Sequence, residues 1–291
     1  MQGIDFCNAS YGFREYELRD VFTACKEIGI TDVEIDAGWL LEDSRNKIEL
    51  DASPEDIEAL LQLAGEHEVR VAALGAGAGV ALHRDGVHDN SDEIIRAIDL
   101  AHALGSPVIR VFTEHDFSHS KHYVLPTDRV TDALYDALGT AFNTIGQYAQ
   151  EKNVLIGIEN HGGSSATGAS LRKLLDMVPF RSVGVTFDPA NFAIAGEDPY
   201  QALRLLENRI VYTHWKDIRH TDKGLGYCAF GNGEIDWPPI ISKLLEKYDG
   251  LWAIEFERKD DSTLETLIAG TRESKYNLQS TITEAITNAK H

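Results

Sequence analysis

Cysteine is scarce. The 291 residues include three, Cys7, Cys25 and Cys228, an odd number, far apart and with no Cys-x-x-Cys pair. That excludes a disulfide framework and a thiolate zinc site, and it points to a reducing, cytoplasmic setting. Long apolar runs are missing too: no stretch approaches about 20 uninterrupted apolar residues, so no membrane-spanning helix is expected. The opening Met1-Gln2-Gly3-Ile4-Asp5-Phe6 has neither the basic residue nor the apolar run of an export signal. Basic residues are few: 27 Lys and Arg against 47 Asp and Glu leave a net charge of −20. Such a field repels phosphate backbones and anionic membrane surfaces, which sets nucleic acid and membranes aside as partners. None of the compositional bias of a disordered, collagenous or coiled-coil chain is present, and the length suits one large domain or two small ones.

What is present is a recurring unit: a short apolar, β-branched run, a polar turn, then an amphipathic stretch. The apolar runs are Ile4 to Asn8, Asp32 to Ile35, Val69 to Leu74, Val108 to Phe112, Val154 to Glu159, Val183 to Asp188, Ile210 to His214 and Leu251 to Glu255. Most are continuously apolar, as parallel strands buried on both faces are. Between them, Leu18 to Glu27, Pro54 to His67, Ser91 to Leu104, Thr127 to Lys152, Ala169 to Met177, Pro199 to Leu206, Trp237 to Lys247 and Ser262 to Ala289 carry apolar residues at helical spacing. Ser53-Pro54, Asp198-Pro199 and Asp236-Trp237-Pro238 each set a capping side chain before a good first-turn residue. Strands alternating with helices imply a parallel sheet, and units of about 36 residues suit a closed barrel better than an open sheet. The expectation is an α/β fold, a (β/α)8 TIM barrel forming a single domain over residues 1–291. Its most irregular segment is the loop from Glu114 to Pro126, with His115, His119 and His122. On a loop, these three read as a solvated or lid feature in preference to a metal cluster.

In such a barrel the chemistry sits at the C-terminal ends of the strands. Four consecutive runs end in a metal-type ligand: Glu159, Asp188, His214 and Glu255, which are 29, 26 and 41 residues apart in turn. One strand-end acid reads as a helix cap or a surface group, whereas four in register read as a shared site. Carboxylates buried at apolar strand ends are costly unless paired or coordinated. Three oxygens and one nitrogen suit Mn²⁺, Mg²⁺ or Co²⁺ and admit Zn²⁺, ahead of iron or copper.

The run Ile158-Glu159-Asn160-His161-Gly162-Gly163, the segments Phe187-Asp188-Pro189-Ala190-Asn191 and His214-Trp215-Lys216-Asp217, the turn Gly231-Asn232-Gly233-Glu234-Ile235-Asp236-Trp237 and the final Glu255 carry a family resemblance. The chain resembles the sugar phosphate isomerase/epimerase superfamily, the xylose isomerase-like TIM barrels, which include ketose 3-epimerases, inosose dehydratases, hydroxypyruvate isomerases and endonuclease IV. The resemblance covers nearly the whole chain. It implies that Glu159, Asp188, His214 and Glu255 bind one divalent metal ion, commonly Mn²⁺, with Glu159 and Glu255 also acting as acid and base. A metal bridging a sugar carbonyl and the adjacent hydroxyl acidifies the intervening C–H and stabilises an enediolate. Proton return to the opposite face epimerises, and return to the neighbouring carbon isomerises. Many relatives have a His where this chain has Asn191, which argues against a second metal. The histidines of the endonuclease IV arrangement are missing as well, which argues against DNA repair. Homo-oligomers are a family expectation.

Secondary candidates for substrate contact are His161, Asn191, Lys216, Arg110 and Trp39. His161 reads alternatively as a holder of the Gly162-Gly163 turn, Lys216 as a salt-bridge partner, and Arg110 as a bridge to Glu159 or another barrel acid. Trp39, Trp215 and Phe230 read equally as an apolar wall or as core. Gly231-Asn232-Gly233 is a weak phosphate cradle, and the acids beside it argue for a plain turn. No clamp of Lys or Arg is visible. The leading reading is therefore a metal-dependent isomerase or epimerase of a small, unphosphorylated carbohydrate. A dehydratase or lyase of an inosose or 3-keto-sugar is the alternative, and a non-catalytic sugar- or metal-binding barrel the minor one.

Overall fold

The computed structural model describes residues 4–38, 44–116, 129–222, 224–257 and 263–289. Eight strands form the barrel: β1 (Phe6–Ala9), β2 (Asp32–Ala37), β3 (Arg70–His83), β4 (Val108–Asp116), β5 (Leu155–Glu159), β6 (Val183–Phe187), β7 (Ile210–Trp215) and β8 (Trp252–Ile254). Each pairs in parallel with its neighbour in sequence, and β8 closes the ring on β1. Helices α1 (Leu18–Ile28), α2 (Pro54–Glu66), α3 (Ser91–Leu104), α4 (Asp132–Lys152), α5 (Gly168–Asp176), α6 (Pro189–Ile194), α7 (Pro199–Leu206), α8 (Trp237–Leu244) and α9 (Leu264–Asn288) surround it. The expected (β/α)8 barrel is what forms. No helix among the described residues is long and apolar enough to cross a membrane.

Strand geometry sends alternate residues to opposite faces. In β2, Val33 and Ile35 join the large apolar layer between strands and helices, while Glu34 and Asp36 turn into the barrel, where both meet Arg110. The lower interior is filled by Cys7, Ala9, Ala73, Val108, Tyr212 and Ala253. These are mostly small, and they leave the upper interior to charged groups. Gly75 makes room for one of them: a Cβ there would lie 2.5 Å from an Arg110 guanidinium nitrogen. Helix starts follow the expected chemistry at Ser53, whose side chain and Asp56 form a capping box, and at Asp198, which accepts from the Tyr200 N–H. Asp236 makes no such cap bond.

The structure departs from the sequence reading in several places. β3 runs on past Leu74 to His83 and turns back through an antiparallel strand, Gly86–Asp89. The small residues of the run Gly75-Ala76-Gly77-Ala78-Gly79, past the expected end at Leu74, admit close neighbours: a Cβ on Gly77 would meet Glu93, and one on Gly79 would meet Phe142. β4 likewise continues to Asp116, so Glu114 and His115 belong to a strand and not to the expected loop. α4 starts at Asp132, capped by Thr131, and residues 127 and 128 lie outside the described residues. The helix α6 directly after Asp188 and the hairpin Asp217–Thr221 with Gly224–Cys228 are additions that the periodicity did not reveal.

Candidate functional site

β5 ends in Glu159, β6 is followed by Asp188, β7 carries His214, and Glu255 follows β8. One donor atom from each lies within 4.8 Å of the others, and all four residues are buried. Asp188 is also the N-cap of α6: its Oδ1 accepts from the Asn191 N–H at 3.1 Å. The His214 ring lies between acids. Its Nε2 is 2.8 Å from Glu34 Oε2, and its Nδ1 is 3.6 Å from Glu159 Oε1 and 3.4 Å from Glu255 Oε1. Lys216 Nζ stands 3.1 Å from Asp188 Oδ2 but off the angle of a hydrogen bond. His214 Nδ1 and Asp188 Oδ2 are therefore buried with no hydrogen-bond partner. Both atoms have ion-pair neighbours but no aligned hydrogen bond, and a nitrogen and an oxygen that lie within 4.8 Å of two further carboxylates fit a cation.

The surrounding charge points the same way. Glu34, Asp36, Glu159, Asp188, Glu255 and Glu257 face two permanent cations. Arg110 lies 3.1 Å from Glu34 Oε1, 3.6 Å from Glu159 Oε2 and 3.9 Å from Asp36 Oδ1. Lys216 Nζ lies 2.6 Å from Glu255 Oε2 and 2.9 Å from Glu257 Oε1. Burial raises the Asp188 carboxyl to about 6 in spite of the Lys216 charge. Burial also works against ionised Glu159, but the His214 ring and the Arg110 guanidinium outweigh it and hold that carboxyl at about 2. For His214, burial disfavours the imidazolium, yet Glu255 and Glu34 hold its pKa well above the ordinary value. With six acids facing Arg110, Lys216 and the protonated His214, a divalent cation among the four donors would balance charge that these three side chains leave uncompensated. The residues present thus fit a metal ion.

The secondary candidates are placed unevenly. Asn191 Nδ2 donates to Glu159 Oε1 at 3.2 Å, so this residue touches two of the four acids. Arg110 and Lys216 are buried inside the acid cluster, in the salt bridges given above. His161 is exposed, with its ring 5.1 Å from that of Phe112, and its backbone N–H donates to Ser165 Oγ. Trp39, His119 and His122 lie outside the described residues. His115 is 3% exposed, which corrects the expectation of a solvated histidine: the extension of β4 carries it inside. Trp215 and Phe230 are core and not a wall, since Trp215 stacks on Trp252 at 4.9 Å and meets both Phe230 and Trp237 edge-on. Alternation explains this, because His214 and Lys216 face inward and Trp215 outward. The Gly231-Asn232-Gly233 turn is a plain turn: both glycine N–H groups donate to Asp217 Oδ2, at 3.1 and 3.0 Å, and a Cβ on Gly233 would lie 2.0 Å from Asp217 Oδ1.

Three site residues escape the strand-end rule: Glu34, Asp36 and Glu257. For the first two a signal existed in Asp32-Val33-Glu34-Ile35-Asp36, acids alternating with β-branched residues inside a barrel strand. For Glu257, beyond the end of β8, there was none.

Residues 22–278 match the xylose isomerase-like TIM barrel family. The inosose dehydratase of Clostridium botulinum is 28% identical over 229 residues, 70% of this chain and 75% of that enzyme. The inosose dehydratase of Lacticaseibacillus casei is 28% identical over 187 residues, 56% of this chain, and the match spans 62% of that enzyme's length. Among solved structures, a D-tagatose 3-epimerase-like protein superposes with a TM-score of 0.74 at 21% identity, over 98% of this chain and 100% of the other. An IolI protein with a bound zinc atom gives 0.71 at 16% identity, over 97% and 99%. At those identities the likeness is one of fold.

Proposed function

Because the chain belongs to the xylose isomerase-like TIM barrel family, we propose that it is a metal-dependent isomerase or epimerase of a small, unphosphorylated carbohydrate. The observation that carries this reading is the meeting of Glu159, Asp188, His214 and Glu255 at one buried point of the barrel mouth. In the proposal these four hold one divalent ion, Mn²⁺ ahead of Mg²⁺, Co²⁺ and Zn²⁺. Such an ion supplies positive charge that acidifies the C–H beside a sugar carbonyl and stabilises the enediolate.

The protein's own residues do the rest. Glu159 and Glu255 come from strands with β6 and β7 between them, so a carbon placed in the mouth meets a carboxylate from two sides. One takes the proton beside the carbonyl, and the other returns a proton to the opposite face or to the neighbouring carbon. Asn191 holds Glu159 and Asp188, and Lys216 holds Glu255. A sugar without phosphate is favoured because the Gly231 and Gly233 N–H groups are committed to Asp217 and Arg110 and Lys216 to acids. A cytoplasmic setting belongs to the same proposal and is supported by three buried, unpaired thiols.

Dehydration of an inosose or 3-keto-sugar is the second reading, favoured by Lys216. Its buried ammonium, beside Glu255 and Asp188, is placed to hydrogen-bond a departing hydroxyl, which takes its proton from the carboxyl that received one from the carbon, so that water leaves from the same enediolate. The curated relatives are named inosose dehydratases.

A panel of ketoses, inososes and 3-keto-glycosides, incubated with Mn²⁺ in D₂O and followed by NMR, tests both. Deuterium beside the carbonyl with no loss of water is the isomerase or epimerase outcome, and loss of water is the dehydratase outcome. Glu159→Gln and Glu255→Gln are each expected to slow turnover by about 10²–10⁴ with the fold, followed by circular dichroism, largely preserved. Full activity in both variants would refute the acid and base assignment.

A further inference from the structure

Glu34 lies on the interior face of β2 and is 3% exposed. Its two oxygens serve different partners. Oε2 is 2.8 Å from His214 Nε2, and Oε1 accepts from Arg110 Nε at 3.1 Å. The Arg110 Nε in turn lies 3.6 Å from Glu159 Oε2. A single carboxylate on the far wall thus touches one member of the donor cluster directly and reaches a second through Arg110. The Tyr212 ring meets the His214 ring edge-on at 5.3 Å and limits its tilt.

A neutral imidazole has one N–H and one lone pair, and the partner of one nitrogen decides which is which. With the Glu34 carboxylate at Nε2, the proton stays on that nitrogen. Once a cation displaces the second proton of the imidazolium, the lone pair is on Nδ1, the atom outside hydrogen-bond geometry with either acid and facing Glu159 and Glu255. We propose that Glu34 is a positioning residue: it fixes the tautomer and the ring plane of His214 so that Nδ1 is presented to a divalent cation, while Arg110 holds Glu34 in register with Glu159. This inference rests on the metal-binding reading of the four donors and adds to it a residue at which no strand ends.

The test is the Mn²⁺ affinity of the full chain, measured by calorimetric titration, with circular dichroism and the melting temperature of the metal-free chain as controls of folding. Glu34→Gln keeps the volume and one acceptor but removes the charge; Glu34→Ala removes everything. The expected order of affinity is unaltered chain, then Glu34→Gln, then Glu34→Ala, with the last about 10–100-fold weaker than the first. Equal affinity in a folded Glu34→Gln chain overturns the inference, whatever Glu34→Ala does. A lower melting temperature with unchanged affinity is what a merely structural residue gives, and it overturns the inference as well. Failure of the unaltered chain to bind Mn²⁺ at all is a separate result, which removes the metal-binding reading itself.

Discussion

At the scale of single residues, the barrel mouth is a set of acids whose protonation follows from their neighbours. Asp36 shows how this bears on stability. It is 3% exposed, and burial, partly offset by Arg110 and reinforced by Glu34, raises its carboxyl from 3.8 to about 6. An unfolded chain releases that proton near the ordinary value, while the folded chain keeps it until about pH 6. Between those values the folded state binds more protons, so this group makes stability fall as pH rises, and above about pH 6 the cost is constant. A shift of this size corresponds to about 3 kcal/mol. Asp36→Asn keeps an acceptor for Ser44, which donates to Asp36 Oδ2, and removes the charge. Urea unfolding of both chains is expected to show the variant gaining about 2–3 kcal/mol relative to the parent between about pH 4 and pH 7. A difference independent of pH would contradict this account of Asp36.

At the scale of elements, the site depends on strand ends being held in register, and some of that holding is done from outside the barrel. Arg209, just before β7, donates to the carbonyls of Leu175, Val178, Phe180 and Val183. It ties the end of α5 and the following turn to the start of β6, the strand that delivers Asp188. Arg209→Met keeps the aliphatic stem and strips the donors, so unfolding free energy is expected to drop by about 2–4 kcal/mol in denaturant titration, with charge-assisted bonds as the cause. A drop below about 0.5 kcal/mol would mean that water replaces Arg209 at little cost. The eight strands were legible because strands buried on both faces read as continuous apolar runs, and the four donors because each closes such a run. Glu34 and Asp36 left a more ambiguous signal, acids alternating with β-branched residues: that pattern also suggests a solvated face, and closure of the sheet shows that the inner face is a polar, buried interior. β3 was cut short because its bulky apolar run ends at Leu74, and the glycines beyond, which carry no apolar side chain, serve close packing against Glu93 and Phe142.

At the scale of the whole molecule, the net charge of −20 divides into a solvated acidic surface and a buried cluster where acids outnumber permanent cations. Surface acids cost little, whereas the buried excess is destabilising unless something positive joins it. The four donors, two of them with orphaned atoms, lie at the centre of that excess. Diffraction from crystals soaked in Mn²⁺, with anomalous data collected at the manganese edge, tests this most directly. One anomalous peak between Glu159, Asp188, His214 and Glu255 is the expected result. Its absence there, or a peak bound only elsewhere on the chain, would contradict the account.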